Sequence, residues 1–271
     1  MPVISPKDVA PPLLPGLREQ IRRLERTHSA GRAGRSAVPV GLPEIDALLP
    51  DGGLLTGALH EIEAGPTPSG RVAPHDGAAL AFTSFLLGRF GSHGSGGTIL
   101  WCRQPFGVFD APPYAPGLVQ WFDPAHLLMV TAKREEDLFW AMEEGLRTPG
   151  IAAVVGETRA ADPTAGRRLS LAAEKNGVPV LLLRNQPAPP QSVCTTRWRI
   201  SSAPSPEVSG IEMLGAAHWQ VELRRNRFGR PSVEEMPAWL LEWNDETHHL
   251  AVVPQAFPGS LGAPWRQSLT A

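Results

Sequence analysis

Between residues 58 and 184, short and continuously apolar runs alternate with longer helix-like stretches, and few folds accommodate that alternation. ALHEI (58–62), TILWC (98–102), LLMVTA (127–132), IAAVVGE (151–157) and VPVLLLR (178–184) read as strands. Between them, GAALAFTSFLLGRF (77–90) reads as a mostly buried helix, REEDLFWAMEEGLR (134–147) as an amphipathic one and TAGRRLSLAAEKNG (164–177) as a third. A strand without polar alternation has both faces buried, as in a parallel sheet flanked by helices. After residue 195 the period changes: TTRWRI and WQVELRRNRF alternate apolar and polar residues, and AWLLEW follows. These are expected to be antiparallel strands added at one edge. The predicted class is therefore α/β, a mostly parallel sheet flanked by helices with antiparallel C-terminal edge strands.

Residues 1–37 read as an arm. Its proline-rich start leads into GLREQIRRLERTH, where Leu17, Ile21 and Leu24 form one stripe of an amphipathic helix over about 16–28. A Gly/Arg/Ser linker separates that helix from the main domain (38–250), so its stripe is expected to pack on a partner or on the domain itself. Residues 251–271 read as a loose tail. Two distant cysteines, Cys102 and Cys194, form neither a disulfide framework nor a zinc spacing, which favours a reducing cytoplasm. The first residues lack the apolar core of a secretory signal, and no apolar run is long enough for a membrane span. With a formal net charge of −2, any nucleic-acid contact must come from a local patch. The histidines are scattered or adjacent, so no metal site is expected.

The loop GPTPSGRV, residues 65–72, has the G-x-x-x-x-G spacing of a phosphate-binding loop and the correct strand-to-helix context. Gly65 and Gly70 hold the glycine positions. Arg71 stands where a lysine belongs, and Val72 where a magnesium-binding hydroxyl belongs. Prolines at 66, 68 and 74 remove N–H donors from the cradle. The only lysines are Lys7, Lys133 and Lys175, and none follows a glycine, so no standard phosphate loop exists anywhere in the chain. At the end of IAAVVGE, Gly156 occupies the place of a magnesium-holding carboxylate and is followed by Glu157, for which a helix cap or a surface role is favoured over a metal role. After TILWC, Arg103 and Gln104 replace a catalytic acid. Three altered elements favour a structural vestige over a nucleotide site; no cofactor, metal or catalytic residue is expected. Asn185 and Gln186 end an apolar strand, either as polar reporters at a site mouth or as the start of a loop. Arg224, Arg225, Arg227 and Arg230, with Arg197 and Arg199, form a basic region that is either a contact for phosphates or an acidic partner, or a solvated edge.

These residues resemble the RecA superfamily over about 38–245. GLPEIDALLPDGGLLTGALHEIEAG looks like the lead-in of RecA-type ATPases, LLLRNQ is similar to a strand that reports nucleotide state, and WQVELRRNRFGRP is similar to a strand whose basic residues, here Arg225 and Arg227, reach a neighbouring subunit's ATP. Within that superfamily, DGAALAF, LFWAMEEGLR and AAVVGE resemble the ImuA family of bacterial mutagenesis cassettes. The resemblance implies a RecA-like core and a role in SOS-induced translesion synthesis. Its expected partners are an ImuB-type Y-family polymerase homologue and an error-prone replicative-type polymerase, with RecA and DNA as further candidates. The short segments TRAADPTAGRRLS and PAPPQSVC replace long DNA-binding loops of RecA, which argues against strand exchange. An unconventional ATPase of the RecA/KaiC type using Arg71 and Glu157, and a SulA-type division inhibitor, are the rival readings.

Overall fold

The computed structural model describes residues 36–66, 77–92, 96–105, 112–158, 162–184, 192–205, 215–228 and 237–254. A two-stranded antiparallel ribbon, β1 (Ala37–Val38) and β2 (Leu54–Leu55), precedes the main sheet. That sheet has nine strands. In chain order they are β3 (Leu59–Ala64), β4 (Thr98–Arg103), β5 (Leu127–Thr131), β6 (Ile151–Thr158), β7 (Val180–Arg184), β8 (Thr196–Ala203), β9 (Ala217–Asn226), β10 (Ala238–Asn244) and β11 (His249–Val252). Across the sheet they run β11-β10-β9-β8-β3-β7-β6-β4-β5. The α/β class, the parallel body and the antiparallel edge agree with the sequence. One detail differs: β8 pairs parallel with β3 and antiparallel with β9, so the change of direction falls between β8 and β9.

The three long helices are α1 (Gly77–Ser92), α2 (Glu135–Arg147) and α3 (Pro163–Asn176). Local chemistry favours the ends of α2 and α3. Glu135, Glu136 and Asp137 occupy the first turn of α2, where carboxylates stabilise the dipole. The Asp162 carboxylate accepts from the Thr164 N–H at 2.9 Å to cap α3, and Pro163 sits at the first helical position. Gly177 then takes the left-handed conformation, φ 71°, that closes the C-terminus.

The strands separate two apolar layers by their period of two. On one face Ile62, Trp101, Val155, Leu181, Trp198 and Val221 pack against Phe82, Leu86, Leu87 and Phe90 of α1. On the other, Leu59, Leu100, Cys102, Val154 and Leu182 pack against Leu138, Met142 and Leu146 of α2 and Leu169 and Ala173 of α3. The first layer extends onto the antiparallel strands through Trp219 and Trp243. Trp121 packs at a tilt against Trp243, ring centroids 4.0 Å apart, and so ties the segment before β5 to the β9–β10 pair. Trp198, Trp219 and Trp243 are buried, and Trp239 packs partly buried against the same layer.

Candidate functional site

The chain leaves β3 through Gly65, whose N–H donates to the Ile200 carbonyl at 2.6 Å. A Cβ at Gly65 would meet the Ser201 hydroxyl and come within 3.1 Å of the Ile200 carbonyl on β8, so the close approach of two strand ends favours glycine there. Gly70, Arg71 and Val72 lie outside the described residues, as do Asn185, Gln186, Arg230, and Leu17, Ile21 and Leu24 of the arm.

Gly156 and Glu157 point to opposite faces of β6. A Cβ on Gly156 would meet the Met142 sulfur and, at 3.2 Å, the Leu182 side chain. That position therefore opens into the apolar layer beneath α2, where a carboxylate would have no water and no cation. Glu157 faces the α1 layer instead. It is 5% exposed, which overturns the expectation of a surface role. The Trp101 Nε1–H donates to its Oε1 at 2.6 Å, and the Arg103 Nε lies 3.7 Å from its Oε2. Arg103 pairs with Glu157 across the β4–β6 ladder, and both are buried. The basic residue in the acid's place and the acid at the strand end thus neutralise each other. A magnesium-bound nucleotide does not fit these residues: one position has no ligand, and the other carboxylate is committed to a tryptophan and an arginine.

A second polar cluster lies on the α2–α3 side of β3, and sequence reasoning did not single it out as a unit. Glu61 and Glu63, two residues apart, point to one face and are both buried. The Glu61 carboxylate accepts from the Ser192 hydroxyl at 2.7 Å and from the Arg197 Nε at 2.8 Å, with the Arg184 Nη1 at 3.5 Å. Glu63 lies 3.6 Å from Arg197 and 3.5 Å from Arg199. Burial lowers the Arg184 pKa, opposed by the two carboxylates. The signals were present: glutamates at alternate positions in an apolar strand (HEIEA), and arginines at the same spacing in RWR.

The proposed basic patch is therefore divided. Arg197 and Arg199 face the β3 carboxylates. Arg224 and Arg227 are exposed, and Arg225 is half-buried opposite Arg197 at a bulge in the β8–β9 ladder. Neither thiol is suited to nucleophilic work, because burial pushes Cys102 and Cys194 up to about 12. Among the described residues no His/Cys/Asp/Glu group is arranged to hold a metal ion.

Fold and site together define an α/β protein with a mostly parallel, helix-flanked nine-stranded sheet, antiparallel strands at one side and buried ion pairs at the ends of β3 and β6. No family model matches the chain. It is 36% identical over 228 residues to Protein ImuA from each of two strains of Caulobacter vibrioides, covering 79% of this chain and 87% of the relative. The chain belongs to the ImuA family. No described helix is long and apolar enough to cross a membrane.

Proposed function

We propose that this protein is a non-catalytic, RecA-like accessory factor of SOS-induced, error-prone translesion DNA synthesis. It assembles or regulates a mutagenic complex in the cytoplasm containing an ImuB-type Y-family polymerase homologue and an error-prone replicative-type polymerase, with RecA as a further partner. Membership of the ImuA family supports the setting. The observation that carries the non-catalytic part is the end of β6, where Gly156 opens onto Met142 and Glu157 is held by Trp101 and Arg103. A nucleoside triphosphatase needs a free carboxylate there to hold its metal. The chain also has no lysine after a glycine to replace Arg71 as a phosphate anchor.

The test is magnesium-dependent ATP hydrolysis by the purified full chain, with Arg71→Ala as the control. Hydrolysis at background, unchanged by Arg71→Ala, is the expected result. Turnover above background that Arg71→Ala abolishes would establish an unconventional ATPase and end this reading. Partner capture from DNA-damaged cells, with the full chain and with residues 1–37 removed, checks the accessory role. Recovery of the two polymerases by the full chain is expected; recovery of a division protein without polymerases would favour the SulA-type alternative.

A further inference from the structure

The six arginines around β8 have unequal surroundings. Arg184, Arg197 and Arg199 share the carboxylates of Glu61 and Glu63. Among the described residues Arg224 pairs with Glu222, at 3.3 Å with both side chains partly in water, where such a pair contributes little. Arg225 and Arg227 have no carboxylate partner among the described residues, and the Nε of Arg225 is buried without a hydrogen bond. Among the described residues six arginines thus meet three glutamates, a local excess of three positive charges in a chain whose formal net charge is −2.

The backbone concentrates that excess. The register shifts between Arg197 and Trp198, so Arg197 lies opposite Arg225 while Trp198 lies opposite Leu223, leaving Arg224 as the extra residue. A bulge of this kind re-aims the side chains beside it. It also places Arg225 directly across the ladder from Arg197, whose own charge is already matched by Glu61 and Glu63. Just beyond, the Arg227 guanidinium lies 5.0 Å from the centre of the Phe228 ring. A guanidinium held over an aromatic ring is a flat, cationic platform.

We propose that this corner binds the phosphate backbone of single-stranded nucleic acid, with Arg224, Arg225 and Arg227 contacting phosphates and the Arg227–Phe228 pair receiving an unpaired base. Excess positive charge would attract any polyanion. The stacked arginine and phenylalanine favour a nucleic acid over an acidic peptide, because every unpaired base has a face to stack and a glutamate side chain has none. The inference rests on the geometry of the corner and is independent of the reading of the ATP site.

Fluorescence anisotropy of a labelled oligothymidylate, titrated with the full chain over a series of salt concentrations, tests it. Binding that weakens with salt is expected. Arg224→Ala/Arg227→Ala, both at exposed positions, is expected to weaken it on the order of tenfold and to flatten the log–log salt dependence by about 1.4, from roughly 0.7 per lost phosphate contact. Phe228→Leu, which keeps the charge, is expected to weaken binding with little change of slope. If the double variant melts below the parent, Arg224→Gln alone supplies the comparison. Absence of binding at low salt, or an unchanged slope in the arginine variants, overturns the proposal. Binding of polyglutamate without binding of oligothymidylate also overturns it and assigns the corner to an acidic protein segment.

Discussion

His60 shows how a single polar residue is accommodated inside the α1 layer. Its Nε2 lies 2.9 Å from the Leu55 carbonyl, so that nitrogen donates. The Thr196 hydroxyl, 2.8 Å from Nδ1, then donates to the ring and accepts from Trp198 Nε1–H at 2.9 Å. Every polar atom is satisfied by a neutral imidazole, and burial holds its pKa down from 6.5 to about 4. The folded state therefore binds fewer protons than the unfolded chain in that window. Stability contributed by neutral His60 is complete above pH 6.5 and is lost as pH falls towards 4. At pH 5 the loss is about 2 kcal/mol. Urea unfolding at neutral and mildly acid pH should show that decline, and His60→Gln should flatten it; an equal slope in both proteins would assign the pH dependence elsewhere.

At the level of one element, β3 carries opposite chemistry on its two sides. Ile62 and Ala64 enter the α1 layer, while Glu61 and Glu63 face arginines from β7 and β8. A buried ion cluster adds little net stability over an apolar packing, but removing one partner leaves the others uncompensated. Glu61→Gln should therefore cost about 3 kcal/mol, although the amide keeps the shape and one acceptor. A midpoint within error of the parent in denaturant would mean that water, and not the carboxylate, satisfies Arg184 and Arg197. The polar residues of this strand are drawn into its packing, and that could not be read from HEIEA alone.

In the whole molecule, the antiparallel strands continue the sheet and share its first apolar layer. Trp198 on β8 packs at a tilt against Phe82 of α1, ring centroids 5.8 Å apart, and Trp121 bridges to Trp243 and Trp219. Because the layer is continuous, tryptophan fluorescence and far-UV circular dichroism should report one coincident unfolding transition. Two separated transitions would show that β9–β11 form an independent unit. Much of this architecture was legible from residues alone. Apolar runs separated by amphipathic stretches specify a parallel body, because a strand buried on both faces needs helices on both sides. The missing glycine–lysine step and Val72 are likewise chemical facts of the chain, whatever its conformation. Other features had no local signature. That Gly156 faces Met142, that Glu157 is buried against Trp101 and Arg103, and that Arg197 and Arg199 are drawn to β3 while Arg224 and Arg227 remain in water all depend on register between strands distant in sequence. Sequence determined which groups exist and the period on which they recur; tertiary structure decided which charges meet, because a one-residue change in pairing turns every side chain of a strand to the other face.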